Sequence, residues 1–218
     1  LRASIINELA RSNGAGKPSL KLHILSDLHF EYDTEFQVPE TTSDVLILAG
    51  DISPGLNGMA RFARSTKPVI YVPGNHEFYG ESIHSLPAAL RLLANGSSIH
   101  LLDNDEVRLG GVRFLGATLW TSYELYGIER IGEVTAHADR HLNDYICIQG
   151  ESAGTLTPGQ TVSLHQKAVD WLERKLDEPF NGKTVVVTHH APHPASLMPK
   201  HQGKLINAAY ASDLTHLM

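Results

Sequence analysis

Cysteine is almost missing from this chain. Cys147 stands alone among 218 residues, so no disulfide can close within the chain; that fits a reducing compartment, with Cys147 read as a small buried apolar residue. A basic excess is missing too. Eighteen Lys and Arg against 24 Asp and Glu leave a net charge of −6, which argues against stable nucleic-acid binding and requires any phosphate-bearing ligand to be met locally, for instance by metal ions. No apolar run reaches the ~18 residues that a membrane-spanning helix needs. The opening stretch LRASIINELARSNGAGKPS carries no uninterrupted apolar core followed by a small-residue cleavage pattern, so no secretory leader is read there. The expectation is a soluble cytoplasmic protein with no membrane partner.

What the chain does have is histidine, 13 in all, an excess that invites a search for metal ligands. The length suits one sizeable core. Residues 1–19 read as an N-terminal extension and linker: Ile5, Ile6, Leu9 and Ala10 offer one or two helical turns, and NGAGKPS is flexible in composition. The segment GAGKPS is not a phosphate-binding loop, because Pro18 occupies the Ser/Thr position, Arg11 the first Gly, and no strand precedes it. Residues 20–218 read as one domain.

From Leu20 onward, short aliphatic runs end in polar clusters. LKLHILS, DVLILAGD and PVIYVPGNH are strand candidates, and GMARFARST suits a short helix between the second and third. That alternation predicts an α/β domain with largely parallel strands, whose ligand-binding groups gather beyond the carboxyl ends of the strands. A helix is expected over about 81–94, kinked or restarted at Pro87 and stopped at Asn95-Gly96. SIHLL, DEVRLGG and VRFLGAT are expected to pair as a meander. Residues 121–156 yield no element. TPGQTVSLHQKAVDWLERKL predicts a helix opened by Thr157, Pro158 and Gln160 in capping-box arrangement, and GKTVVVTHHAPHP predicts a buried strand ending in a polar cluster.

Four strand ends carry reactive side chains: Asp27 and His29, spaced two apart; Gly50-Asp51; Gly74 with Asn75, His76 and Glu77; and His189 with His190. Each has an ordinary reading as a turn or cap when taken alone. GNHE is the least ordinary, since turn chemistry favours Asn-Gly or Asp-Gly and has no use for a bulky imidazole. Together they form a mixed oxygen and nitrogen donor set without thiolate, which suits Mn, Fe, Zn or Co. Asp51, on the middle strand if neighbours in sequence are neighbours in the sheet, is the candidate to bridge two ions. Two such ions can bind both an attacking hydroxide and the oxygens of a phosphoester. A dinucleotide-binding oxidoreductase also fits α/β alternation, but no G-x-G-x-x-G follows the first strand.

The order SDLH, AGD, GNHE, THHAP over residues 20 to about 193 resembles the calcineurin-like metallophosphoesterases, whose pattern reads D-x-H, G-D, G-N-H-D/E, H, then G-H-x-H. The resemblance implies a sandwich of two β-sheets flanked by helices, with a two-metal site at one edge. It implies Asp27 and His29 on a first metal, Asp51 as bridge, Asn75 and His189 on a second, and His76 as the non-ligand imidazole at the leaving group. It implies phosphomonoesterase or phosphodiesterase activity through a metal-bridging hydroxide, on a small phosphoester or a nucleotide, with two divalent or trivalent ions, Mn, Fe or Zn. His190 is the alternative to His189 if the strand ends one residue later, and Glu77 is assigned no direct role, as a supporting or solvent-facing residue.

The pattern departs from the family at its last motif. His216 has no Gly before it and no second His after it, so an imidazole for each ion and part of the second sheet are expected from elsewhere. Residue 1 is not Met, and a helix expected near Asn207 has no stop signal, so the natural chain is expected to extend further. The alternatives are supply of the missing piece by another chain, or a module that binds metal or phosphate without turnover. His137 and His141 have a chelating spacing on a helix but no third ligand nearby, and His193 and His201 read as loop residues; His23, His84, His100 and His165 fall inside elements and need no function. Oligomeric state is open.

Overall fold

A computed structural model describes residues 19–151 and 154–218. The helical turns and linker expected before Ser19 lie outside the described residues. Strand β2, Val45–Ala49, is buried along its whole length because it has an apolar layer on each face. Val45, Ile47 and Ala49 join Ile70, Val72, Leu102 and Phe114 on one side, while Leu46 and Leu48 join Leu25, Met59, Leu90 and Ala138 on the other. Alternation therefore continues beneath an unbroken apolar run, as it must in a strand covered twice.

β1 (Leu22–Leu25), β2, β3 (Val69–Val72) and β4 (Ile99–Leu101) form a parallel sheet in that order. A second sheet holds β5 (Asp105–Leu109), β6 (Val112–Ala117) and β7 (Lys183–Thr188), with β5 antiparallel and β7 parallel to β6. Helices α1 (Asn57–Phe62), α2 (Leu86–Ala94), α3 (Ile131–His141) and α4 (Asp144–Cys147) supply Met59, Leu90, Ala138 and Tyr145 to the outer core of the first sheet. Helix α5 (Pro158–Asp177) sets Ala168, Val169 and Leu172 against Leu115 and Ala117 on the outer face of the second. The result is the expected two-sheet sandwich flanked by helices. The predicted capping box at Thr157 and Gln160 is present.

Several local expectations need correction. The meander does not form: β4 arrives through the α2 crossover, which delivers a strand parallel to β3, with Val69 opposite Ile99. Leu102 then enters the core between the sheets, and only β5 and β6 make a hairpin, through Gly110 and Gly111 at φ of +55° and +78°. Pro87 sits in the first turn of α2 and starts the helix without kinking it. Residues 121–156, unassigned from sequence, contain α3 and α4. Near Asn207 the chain forms a 3₁₀ segment, Leu205–Ala209, instead of an α-helix. β7 is half-buried rather than buried; among the described residues it pairs only with β6, and Val186 remains 42% exposed.

For the site, the decisive feature is direction. β1, β2 and β3 run the same way, so their polar ends gather at one edge of the sheet.

Candidate metal centre

The site begins with two turns that rise side by side. Asp27 N–H donates to the Gly50 carbonyl, His29 N–H to the Asp51 carbonyl and Phe30 N–H to the Ile52 carbonyl, each at 3.0 Å. Asp27, His29 and Asp51 all have left-handed backbone, with φ of 55°, 46° and 56°. Asp27 and His29, spaced two apart, thus converge because the chain coils beyond β1, not because an extended strand sets alternate side chains on one face. Left-handed residues other than glycine cost roughly 1–2 kcal/mol each, and such strain persists where surrounding bonds over-determine it.

Glycine permits the close approach. A Cβ on Gly74 would lie 2.1 Å from Asp51 Oδ1, and one on Gly50 would lie 2.3 Å from His189 Nδ1. Through that gap Asp51, 5% exposed, meets its neighbours on both sides. Its Oδ2 is 3.7 Å from His29 Nε2 and 3.9 Å from His76 Nε2; its Oδ1 is 3.3 Å from His189 Nε2 and accepts the His76 N–H at 2.9 Å. Burial opposes the charge on Asp51, but the imidazoles of His189 and His76 outweigh it and hold the carboxyl below the usual range. Burial likewise opposes protonation of His189, and the carboxylates of Asp51 and Asp27 reverse that and raise it.

Imidazole orientation is fixed from behind. His189 Nδ1 is 3.0 Å from the Ala49 carbonyl, to which it donates, so Nε2 faces Asn75 Oδ1 at 3.1 Å. His29 Nδ1 and His76 Nδ1 both contact Glu31 Oε1, at 3.0 and 3.3 Å, and the two rings meet edge to face with centroids 4.4 Å apart. Asn75 donates from Nδ2 to Asp144 Oδ1 at 2.8 Å, and Asp144 Oδ1 also accepts from the Tyr79 hydroxyl at 2.7 Å. Burial raises the Asp144 carboxyl, against the opposing effect of those two hydrogen bonds.

The donors fit divalent cations. Donor atoms of Asp27, His29 and Asp51 lie within 4.8 Å of one another, and Asp51 turns its other oxygen to His189, whose Nε2 also faces Asn75 Oδ1. Carboxylate, imidazole and amide oxygen are the borderline-to-hard set that such ions take. A further sign is Glu31 Oε2, buried with no hydrogen-bond partner among the described residues.

Over residues 20–214 the sequence matches the family model described as calcineurin-like phosphoesterase. The chain belongs to that family. Its members are metal-dependent phosphoester hydrolases. Uncharacterized protein L509 of Acanthamoeba polyphaga mimivirus is 26% identical over 231 residues, a span that covers 90% of this chain and 79% of the relative. A crystal structure of phosphopantetheinyl hydrolase from Mycobacterium tuberculosis resembles the fold with a TM-score of 0.65 at 19% identity, covering 90% of this chain and 77% of that one. Among the described residues no helix is long and apolar enough to cross a membrane.

Within this calcineurin-like framework, the structure brings together Asp27, His29, Asp51, Asn75, His76 and His189. His190 points elsewhere. Its Nδ1 donates to the Thr118 carbonyl at 3.1 Å, its ring stacks on Trp120, and burial pushes its pKa down to about 3. His137 and His141 stack on each other along α3, outside the Asp27–His29–Asp51 group and outside a second group, His29, Glu31 and His76, whose donor atoms also lie within 4.8 Å of one another. Of the two readings given to Glu77, the structure gives the supporting one: the residue is fully buried beneath the site and accepts the Asp51 N–H. Glu31 and Asp144 are absent from the sequence-derived set. Glu31 could have been found as the carboxylate two residues beyond His29 in the same polar cluster, but Asp144 lies 69 residues from Asn75, in a stretch with no readable pattern.

Proposed function

We propose that this chain hydrolyses a phosphoester, a small molecule or a nucleotide, with two metal ions drawn from Mn, Fe and Zn, in the reducing cytoplasmic setting that the lone Cys147 favours. Asp27 and His29 would hold one ion, Asn75 and His189 the other, and Asp51 would serve both. The observation that carries this reading is the division of the Asp51 carboxylate, one oxygen toward His29 and the other toward His189. When bound, the ions lower the pKa of water toward neutrality and neutralise phosphate oxygens.

The remaining chemistry belongs to side chains. His76 lies beside the Asp51 carboxylate without being needed as a donor, its Nδ1 turned to Glu31 and its Nε2 to the site. As the P–O bond to the leaving group breaks, Nε2–H gives its proton to the departing oxygen, and Glu31 steadies the ring through Nδ1–H. General-acid assistance of this kind contributes about 10²–10⁴-fold, and more for an alkyl leaving group than for a nitrophenyl one.

The test is hydrolysis of bis(p-nitrophenyl) phosphate and p-nitrophenyl phosphate by protein stripped with chelator and reloaded with Mn, with metal content measured in parallel. Asp51→Asn is expected to lower turnover of both nitrophenyl esters at least about 100-fold; His76→Ala is expected to lower turnover of an alkyl phosphate at least about 100-fold and of the nitrophenyl esters less, and only Asp51→Asn to lower metal content. Equal rates in wild type and both variants contradict the proposal. Near-stoichiometric metal with no hydrolysis of either ester, or of alkyl phosphates, would replace it with a binding module that does not turn over.

A further inference from the structure

We propose that Asp144 is a positioning residue that sets which end of the Asn75 amide faces the metal centre and, through Tyr79, holds the flank of His76; this rests on the functional reading above. An amide side chain can turn end over end about its last torsion with almost no change of shape, so the atom it presents is chosen by its partners. On one side of Asn75 stands the Asp144 carboxylate, which only accepts. It takes Nδ2–H at 2.8 Å and leaves Oδ1, the atom able to bind a cation, against His189 Nε2 at 3.1 Å. With an apolar group at position 144 the two amide orientations would be close in energy, and in one of them an N–H₂ would face the cation.

The same carboxylate oxygen reaches the second half of the site. Asp144 Oδ1 accepts from the Tyr79 hydroxyl at 2.7 Å, and the Tyr79 ring stacks on His76 with centroids 4.1 Å apart and 21° between planes. Asp144 is 6% exposed and opens α4. It thus connects Asn75 and Tyr79, four residues apart on the loop after β3, to an element that contributes no donor of its own. Loss of the tyrosine hydroxyl would leave the metal-facing amide in place and free the ring to leave its stack.

Calorimetric titration of metal-free protein with Mn reads the first arm. Asp144→Leu and Asn75→Ala should each weaken Mn binding about tenfold or more, and Asp144→Asn, which keeps an oxygen acceptor, should lose distinctly less. Because Asp144 acts through Asn75, the double variant Asn75→Ala/Asp144→Leu should bind no more weakly than Asn75→Ala alone. A merely structural role predicts that the losses add, and that result overturns the proposal, as does wild-type Mn affinity in Asp144→Leu. If Asp144→Leu does not fold, Asp144→Ala takes its place in the same cycle. Tyr79→Phe should lower kcat at unchanged KM and Mn affinity; an unchanged kcat removes the Tyr79 arm. The failures are separable: wild-type protein that takes up no Mn defeats the functional reading and this inference with it, whereas Mn binding weakened by Asn75→Ala but not by Asp144→Leu defeats this inference alone.

Discussion

The Glu77 carboxylate accepts a hydrogen bond from the main-chain N–H of Asp51 at 2.9 Å. The same side chain takes the N–H of Ile52 at 2.8 Å, the N–H of Gly74 at 2.7 Å and the Tyr71 hydroxyl at 2.8 Å. One buried residue thus ties the end of β2 to the turn after β3, and the left-handed backbone of Asp51 is held from beneath.

Glu77→Gln should therefore be costly despite its near-identical shape. Each oxygen of Glu77 faces two donors, and an amide nitrogen in either place sets N–H against N–H. Losing charge-assisted bonds and leaving buried donors unpaired is expected to lower stability by about 3 kcal/mol, seen as a lower urea midpoint at unchanged slope. A change below about 0.5 kcal/mol, the scale of ordinary surface substitutions, would show that the carboxylate does not hold these strands.

Gly74→Ala tests the close approach directly. Its methyl would stand 2.1 Å from Asp51 Oδ1 and 2.5 Å from Asp51 N, so the carboxylate must move away from His29 or His189. Turnover and Mn content should both fall by at least about tenfold. Gly80→Ala is the comparison, with φ of +78° and nothing within 4 Å of its added Cβ; it should cost about 1 kcal/mol of backbone strain and leave Mn content alone.

Much of this was legible in the sequence because each feature was local. Apolar runs ending at Asp51 and at Asn75 marked strands whose ends carry chemistry, and the capping box at Thr157 marked a helix start. Hidden features depended on contacts distant in sequence. SIHLL reads as a strand, but its partner was fixed by α2, which turns the chain back so that Ile99 lies beside Val69. Glu77 looks like any polar turn residue until its four donors, which come from Asp51, Ile52, Tyr71 and Gly74, are assembled around it. Asp144 follows no periodic pattern, since α4 has only four residues, and its role appears only when Asn75 and Tyr79 are folded against it.

Glu31 should matter to both imidazoles at once. Its Oε1 contacts His29 Nδ1 at 3.0 Å and His76 Nδ1 at 3.3 Å, so removal frees a candidate ligand and the candidate acid together. Glu31→Ala is expected to lower kcat about 10–100-fold, the usual cost of losing a carboxylate behind a ligating histidine, and to weaken Mn binding in calorimetry. His76→Ala should leave Mn binding near the wild-type value, so comparison of the two variants isolates the contribution through His29. If Glu31→Ala matches wild type in both measurements, the carboxylate is a bystander.

A buried histidine outside the donor set gives the fold an acid limit. His165 on α5 is 4% exposed, and its Nδ1–H donates to the Leu119 carbonyl at 3.0 Å, where Leu119 and Trp120 hold left-handed backbone at φ of 73° and 51°. Burial lowers its pKa from the ordinary 6.5. A histidine lowered in the folded state is neutral there, so above about pH 6.5 it costs nothing, and as pH falls below that value the unfolded chain takes up a proton that the folded chain refuses. Stability is lost on acidification at up to about 1.4 kcal/mol per pH unit for this group. His190, also lowered, adds to the loss, and because His165 is among the causes of that lowering, the difference between wild type and variant reads His165 together with its effect on His190. Urea unfolding of metal-free protein at about pH 7.5 and about pH 5.5 should therefore show a steeper loss for wild type than for His165→Gln, which keeps an N–H donor for Leu119. The gap between the two should narrow over that interval, and parallel pH profiles would mean that His165 is as free to ionise in the folded protein as in the unfolded chain.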